Sequence, residues 1–240
     1  MKQNNNFIAL NFFSIILSLI LCACNPVING EGPVVTIKKD ANKFSEVDLK
    51  LDASVTVSQG LENAVVIHAQ QNIADHIECK PINGVLKIYS DANLNPDNQV
   101  MIDITMNNIE GLELSGSGVI KSKDVLKTPE LKLKISGSGT IYADVIGNKL
   151  ESKISGSGQL NLRGNVTRTD YQISGSGTIN SFDLTAQETD ATITGSGEIH
   201  LTTISSLNAK ITGSGSIKYK GNPAQFKQKV TGDGTIERVE

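Results

Sequence analysis

The sequence predicts an all-β fold, a right-handed parallel β-solenoid with coils of about 19 residues, and two observations carry that expectation. The core [ST]-G-[SD]-G starts at Ser115, Ser136, Ser155, Ser174, Thr194, Thr212 and Thr231, with successive spacings of 21, 19, 19, 20, 18 and 19 residues. A period near 19 is too short for a helix-pair repeat and suits one solenoid coil. Each core is also bracketed by aliphatics. Leu114, Ile135, Ile154, Ile173, Ile193, Ile211 or Val230 precedes it, and Ile120, Ile141, Leu160, Ile179, Ile199, Ile217 or Ile236 follows six residues later. Six is even, so in a continuous strand the two columns share a face and stacked coils bury them as two ladders.

The elements follow in chain order. A single basic residue, Lys2, precedes an uncharged apolar run over residues 7–23, which reads as a signal peptide spanning residues 1–23. Its end, Leu21-Cys22-Ala23-Cys24, places small residues before a cysteine, so Cys24 is the expected lipidation site. Residues 24–38, with Pro26, Gly30, Gly32 and Pro33 and no helical period, are expected as a tether. Residues 39–240 are then the solenoid domain. Its first part, 39–110, reads as strands without the glycine core, either irregular first coils or a capping sheet, broken at Gly60, Asn83-Gly84 and Asn95-Pro96. Residues 111–240 hold the seven repeats. In the last one Asp233 replaces Ser, and Glu237, Arg238 and Glu240 follow, charges that protect an open sheet edge from pairing.

Glycine inside a strand marks close backbone approach or a bend. By strand parity both glycines of each core are expected to point inward and the Ser/Thr hydroxyls outward. The glycine column then lets the opposite wall approach, or lets every coil turn a corner at one place; a bulge there would reverse the parity. The cores are not phosphate loops, because neither G-x-x-x-x-G-K-[ST] nor G-x-G-x-x-G occurs. They are not calcium nonapeptides either, since Asp233 is the only aspartate at the third position.

Composition narrows the function classes. The chain has 240 residues, 38% hydrophobic and 4% aromatic, without Trp, and a formal net charge of −3. That balance gives no electrostatic basis for nucleic-acid binding. Of three cysteines, Cys22 leaves with the signal and Cys24 carries lipid, so Cys79 remains alone and no disulfide framework is expected. His68, His76 and His200 have no second ligand at metal spacing, so no metal or cofactor is expected. The repeated serines stand in no G-x-S-x-G elbow, and none differs from its six copies. Carboxylates on outward positions around the cores, Glu113, Glu198, Asp233 and Glu237, read as scattered rather than paired as glycoside hydrolysis requires.

An envelope signal, a strand-rich first third and recurring I-[ST]-G-S-G-x-I resemble the GIN-domain family of auto-transporter adhesin heads, from Phe44 to the C-terminus. The resemblance implies a β-solenoid in a cell-envelope protein with an adhesive or binding role, and it supplies no catalytic residues. With Glu240 in the last coil, no translocating barrel is expected within these residues.

The expected function is therefore non-catalytic: binding, adhesion or structural service in the envelope, from a protein held at the outer membrane by an N-terminal lipid. Expected partners are that membrane and a polysaccharide or cell-surface protein. Two positions before the cores stand Lys134, Lys153, Lys210 and Lys229; with Ser136, Ser155, Ser174, Thr194 and Thr212 they form the candidate ligand face, a hydroxyl-rich strip whose lysines also discourage sheet pairing. The alternatives are a polysaccharide-acting β-helix enzyme and a self-associating envelope scaffold.

Overall fold

A computed structural model of the protein describes residues 27–41 and 43–240. The expected signal peptide and Cys24 lie outside the described residues. The rest is a β-solenoid in which the same two limbs recur in every coil.

The limb before each glycine core runs Gly111–Leu114, then through the second halves of Leu126–Gly137, Thr140–Gly156, Gln159–Gly175, Thr178–Gly195 and Glu198–Gly213, and ends at Gln225–Thr231. The limb after the core runs from Val119–Ser122 through the first halves of the long strands to Ser216–Lys220 and Thr235–Arg238. All these neighbours pair in parallel, one coil advancing onto the next.

The solenoid begins earlier than its glycines. Glu46–Leu49 pairs in parallel with Gly111–Leu114, and Ser54–Gln59 with Val119–Ser122, so Lys50-Leu51-Asp52-Ala53 turns where later coils use the glycine core. Beyond that layer sits another, Val85–Ser90 and Met101–Met106, also parallel. The stacking order therefore departs from chain order: residues 46–59 are sandwiched between the 85–106 layer and the first glycine coil. Antiparallel strands close this end. Ala64–Gln70 pairs with Met101–Met106 and with Val34–Lys39, while Ile77–Ile82 forms a hairpin with Val85–Ser90. Asn83 and Gly84, at φ 53° and 83°, supply the left-handed pair that a two-residue hairpin turn needs. The expected tether thus ends before Val34, because six residues from Val34 to Lys39 are hydrogen-bonded into the closing sheet. The short strand Val27–Asn29 pairs with Asn93–Asn95.

Two aliphatic ladders fill the interior, as the spacing predicts. Register carries one from Ile88 through Leu49, Leu114, Ile135, Ile154, Ile173 and Ile193 to Ile211, all buried. The other runs from Ile102 through Val55, Ile120, Ile141, Leu160, Ile179 and Ile199 to Ile217. Each side chain is sealed by its counterparts above and below, the arrangement that lets coils without large rings form a core.

The glycine cores are corners. Strands stop at Gly156 and resume at Gln159, and the same break recurs at each core. Parity fails there: in the first six cores only the second glycine is buried, while the first is part-exposed at the bend. In five coils that first glycine has φ between 112° and 129°, a region L side chains avoid. A Cβ on Gly156 would also lie 2.7 Å from the Gly137 carbonyl, one coil back. That carbonyl is in use, accepting a hydrogen bond from the Ser157 amide at 3.1 Å, so the ladder continues around the corner. The second glycine answers a different demand. A Cβ on Gly177 would sit 2.6 Å from Cγ2 of Ile154, and Gly158, Gly197, Gly215 and Gly234 meet the preceding coil's isoleucine in the same way. One glycine turns the chain; the other leaves room for the ladder.

Candidate functional site

The predicted strip is assembled as the spacing implies. Lys134, Lys153, Lys210 and Lys229 fall in one register column with Glu113, Gln172 and Thr192, and the core hydroxyls of Ser136, Ser155, Ser174, Thr194 and Thr212 form the next. Lys134 is bound by Glu113 at 2.5 Å. The column on the other side holds Glu151, Asp170 and Asp190 in adjacent coils. That corrects the expectation of scattered carboxylates, which considered only positions near the cores. These acids are tied down: Asp190 accepts from Arg168 at 2.7 Å and from Asn208 at 3.0 Å, Asp170 from Gln172 at 3.2 Å, and Glu151 from Lys149.

A concave site lies instead on the limb after the core. Register places Lys121, Tyr142, Asn161, Asn180, His200 and Lys218 in one column along the solenoid axis. Over it runs a groove of about 770 Å³, lined by Lys121, Tyr142, Asn161, Arg163, Phe182 and Lys220 among others.

Irregular coil lengths shape that groove. Asn161 pairs with Asn180 but Arg163 with Asp183, so Phe182 is one extra residue, a bulge, and the following coil is correspondingly short. The Phe182 ring leaves the sheet and stacks on His200, centroids 5.1 Å apart and planes 9° apart, with Lys220 Nζ 5.2 Å from its centroid. At the other end two further residues are inserted between Ser122 and Leu126, because Ser122 stands one position past the Lys121–Tyr142 pair while Leu126 pairs with Val145. Tyr142 stands there with its side chain 44% exposed residue-wide and Lys121 Nζ 5.4 Å from the ring centroid.

Between the rings runs a directional amide ladder. His200 Nδ1 donates to Asn180 Oδ1 at 3.0 Å, and Asn180 Nδ2 donates to Asn161 Oδ1 at 3.1 Å, which Gln159 Nε2 also reaches at 3.0 Å. The next donor, Asn161 Nδ2, is buried and has no partner. The ladder therefore ends in an unsatisfied N–H buried beneath the floor of the groove, a cost of about 1–3 kcal/mol. Burial holds the His200 imidazole below its ordinary pKa, with Glu198 pulling it up and Lys218 pushing it down. Arg163 lies 3.9 Å from Asp183, both well exposed. Among the described residues, neither Lys121 nor Lys220 has a carboxylate within ion-pair distance.

Sequence reasoning passed over this site because it weighed His200 only as a metal ligand and the tyrosines only as isolated rings. One signal was present: the spacings of 20 and then 18 around Thr194 mark the extra residue at Phe182 and its compensation. The other titratable groups are structural. His68 contacts Thr36 at 3.0 Å and Asp103 at 3.1 Å, and His76 contacts Asp91 at 2.8 Å. Burial pushes the Cys79 thiol up to about 11, against the pull of Lys39, which leaves it protonated and unreactive. No group of three or more His, Cys, Asp and Glu suited to a metal occurs among the described residues.

Comparison with known proteins follows the fold. The family model described as "Putative auto-transporter adhesin, head GIN domain" matches residues 43–223. No curated protein matches the sequence significantly. Among solved structures, a "putative adhesin" from Bacteroides fragilis is 24% identical with a TM-score of 0.82, covering 88% of this chain and 100% of its own. A "putative lipid binding protein" from Parabacteroides distasonis is 24% identical with a TM-score of 0.77, covering 90% of this chain and 100% of its own. A "putative adhesin" from Parabacteroides merdae is 25% identical with a TM-score of 0.74, covering 89% and 99%.

Proposed function

For a chain that belongs to the family of adhesin-head GIN domains, we propose a non-catalytic binding role at the cell envelope, exercised through the outer wall of the solenoid. Cys24 carries the lipid that holds the protein at the outer membrane, and the solenoid presents its wall to a polymer or surface component. The observation that carries this reading is the groove over Tyr142, Asn161 and Phe182, which crosses several coils of a rigid sheet and is floored by the Asn180–Asn161 amide ladder. A rigid scaffold with few, convergent polar groups and flanking rings is the usual construction of a binding site. The strip of Lys134, Lys153, Lys210 and Lys229 is the second surface; Lys134 is already paired with Glu113, which favours the groove over it.

The test is retention on isolated envelope polysaccharide. We expect wild type to be retained, a Tyr142→Ala/Phe182→Ala variant to elute, and a Lys153→Glu/Lys210→Glu variant to be retained. Loss only in the lysine variant would move the site to the strip. Release of new reducing ends would replace binding by catalysis. For anchoring, Cys24→Ala should abolish metabolic labelling with a fatty acid and shift the protein from the membrane to the soluble fraction; unchanged labelling would remove the lipid from the reading.

A further inference from the structure

We propose that the groove takes a linear, extended, acidic polysaccharide lying along the solenoid axis, with a carboxylated sugar against each of Lys121 and Lys220. This rests on the reading that the groove is the binding site and adds its ligand class.

Three features of the groove select that ligand. Its functional groups repeat with the coil, and adjacent coils are about 4.8 Å apart, close to the advance of one pyranose in an extended chain. A polymer of that pitch meets the same register column once per sugar unit: Tyr142, then Asn161, then Asn180, and then the Phe182 ring that covers His200. The chemistry of the column suits sugars as well. The Tyr142 ring offers an apolar face for the C–H side of a pyranose, while the amides of Asn161 and Asn180 match hydroxyl groups.

Charge sets the acidic preference. The Lys121 ammonium lies against the ring of Tyr142 and the Lys220 ammonium against that of Phe182. The two lysines stand five coils apart in register and reach inward to rings two coils apart, so the cations are separated by between about 10 and 24 Å along the axis at ~4.8 Å per coil. That span covers several pyranose units, so a polymer with an acidic group on successive sugars presents a carboxylate to each cation. Arg163 lies between but is engaged with Asp183. The acids at the groove, Asp144 and Asp183, are outnumbered by Lys121, Arg163 and Lys220.

The experiment titrates purified protein with polygalacturonate, with a linear neutral β-glucan, and with dextran as a branched neutral control, at low and high salt. The expected result is binding of polygalacturonate that weakens with salt, weaker binding of the β-glucan, and no binding of dextran. Lys121→Gln/Lys220→Gln should lower polygalacturonate affinity about tenfold, remove its salt dependence and leave β-glucan binding unchanged. Tyr142→Ala should weaken both linear polymers. Melting curves of each variant check that the fold persists, which the exposure of these side chains favours. Equal affinity for the two linear polymers, both lost in Tyr142→Ala, would overturn the acidic preference while the groove stands as the binding site. Binding of neither linear polymer, or binding unaffected by Tyr142→Ala, would overturn the ligand class; if envelope polysaccharide is then also retained by the Tyr142→Ala/Phe182→Ala variant, the groove itself falls.

Discussion

The first and the second glycine of each core do different work, and a single methyl group tells them apart. At Gly175 the backbone has φ 125°, and a Cβ would stand 2.6 Å from the Gly156 carbonyl. Neither the conformation nor the neighbour can yield, because that carbonyl carries a ladder hydrogen bond from Ser176. At Gly177 a Cβ would stand 2.6 Å from a methyl of Ile154 and 2.8 Å from the Gly158 carbonyl, but the backbone there is not in the left-handed region. Gly177→Ala should therefore cost about 1–3 kcal/mol by overpacking. Gly175→Ala should cost more, since about 1–3 kcal/mol of backbone strain adds to the blocked contact. Ser176→Ala, exposed between them, should stay within ~0.5 kcal/mol. Urea unfolding of the three variants checks the order, and a milder effect at Gly175 than at Gly177 would contradict this account of the corner. Tyr171 offers a second test at this scale. Burial pushes its phenol up to about 12, with contacts to Ser181 and Thr169 working the other way. The folded chain keeps a proton that the unfolded chain releases near pH ~10. Stability is thus level below pH ~10 and falls as pH climbs towards 12, because the unfolded state then binds fewer protons. Tyr171→Phe should flatten that alkaline decline, read as melting temperature against pH, while costing about 1 kcal/mol at neutral pH for the lost hydrogen bonds.

The coil tolerates changes of length at its bends and turns them into surface relief. Between consecutive cores the chain absorbs 21, 20 or 18 residues in place of 19, yet the inner ladders stay in register, because the surplus is expelled where pairing is already interrupted. Phe182 shows how this operates. Deleting it should restore one-to-one pairing between Arg163 and its neighbour, leave the melting temperature within a few degrees, and remove the stacked His200–Phe182 wall of the groove. The near-ultraviolet circular dichroism of the aromatic stack, beside the melting curve, checks both halves; a collapse in stability would mean that the bulge supports the core. Much of the element-level structure was legible in the sequence. The even spacing between flanking isoleucines located both ladders, and the recurring glycines located the corners. The layers at 46–59 and 85–106 were not, because Lys50–Ala53 turns without glycine and the pairing partner lies 65 residues away in the chain, at Gly111–Leu114.

The two ends of the molecule are unlike. Antiparallel strands 34–39, 64–70 and 77–82 close the first, so its inner ladders are covered and its edge faces outward through a short, twisted sheet. The last coil has a neighbour on one side alone. Phe226 and Val230 are each 40% exposed, and the edge carries Lys227, Lys229, Glu237 and Arg238. Charged side chains on an open edge oppose edge-to-edge pairing. Replacing Lys227 and Lys229 with Val should therefore promote concentration-dependent association, seen by light scattering across a dilution series. A variant as monodisperse as wild type would mean that the edge is protected by some other feature of the last coil.

The sequence by itself determined the repeat, and with it the solenoid, because a buried ladder needs the same aliphatic at the same place in every coil and a shared corner needs the same glycine. Those demands are local and periodic, so they are written in each copy. It also determined which residues share the strip of lysines and hydroxyls, since register follows from spacing. What only the tertiary structure decided is whatever breaks the period: the insertion of residues 46–59 between later layers, the closing of one end, and the groove. Tyr142, Asn161, Phe182 and His200 carry no common motif and stand 18 to 21 residues apart; stacking brings them together, and a one-residue bulge turns an otherwise flat wall into a concave one.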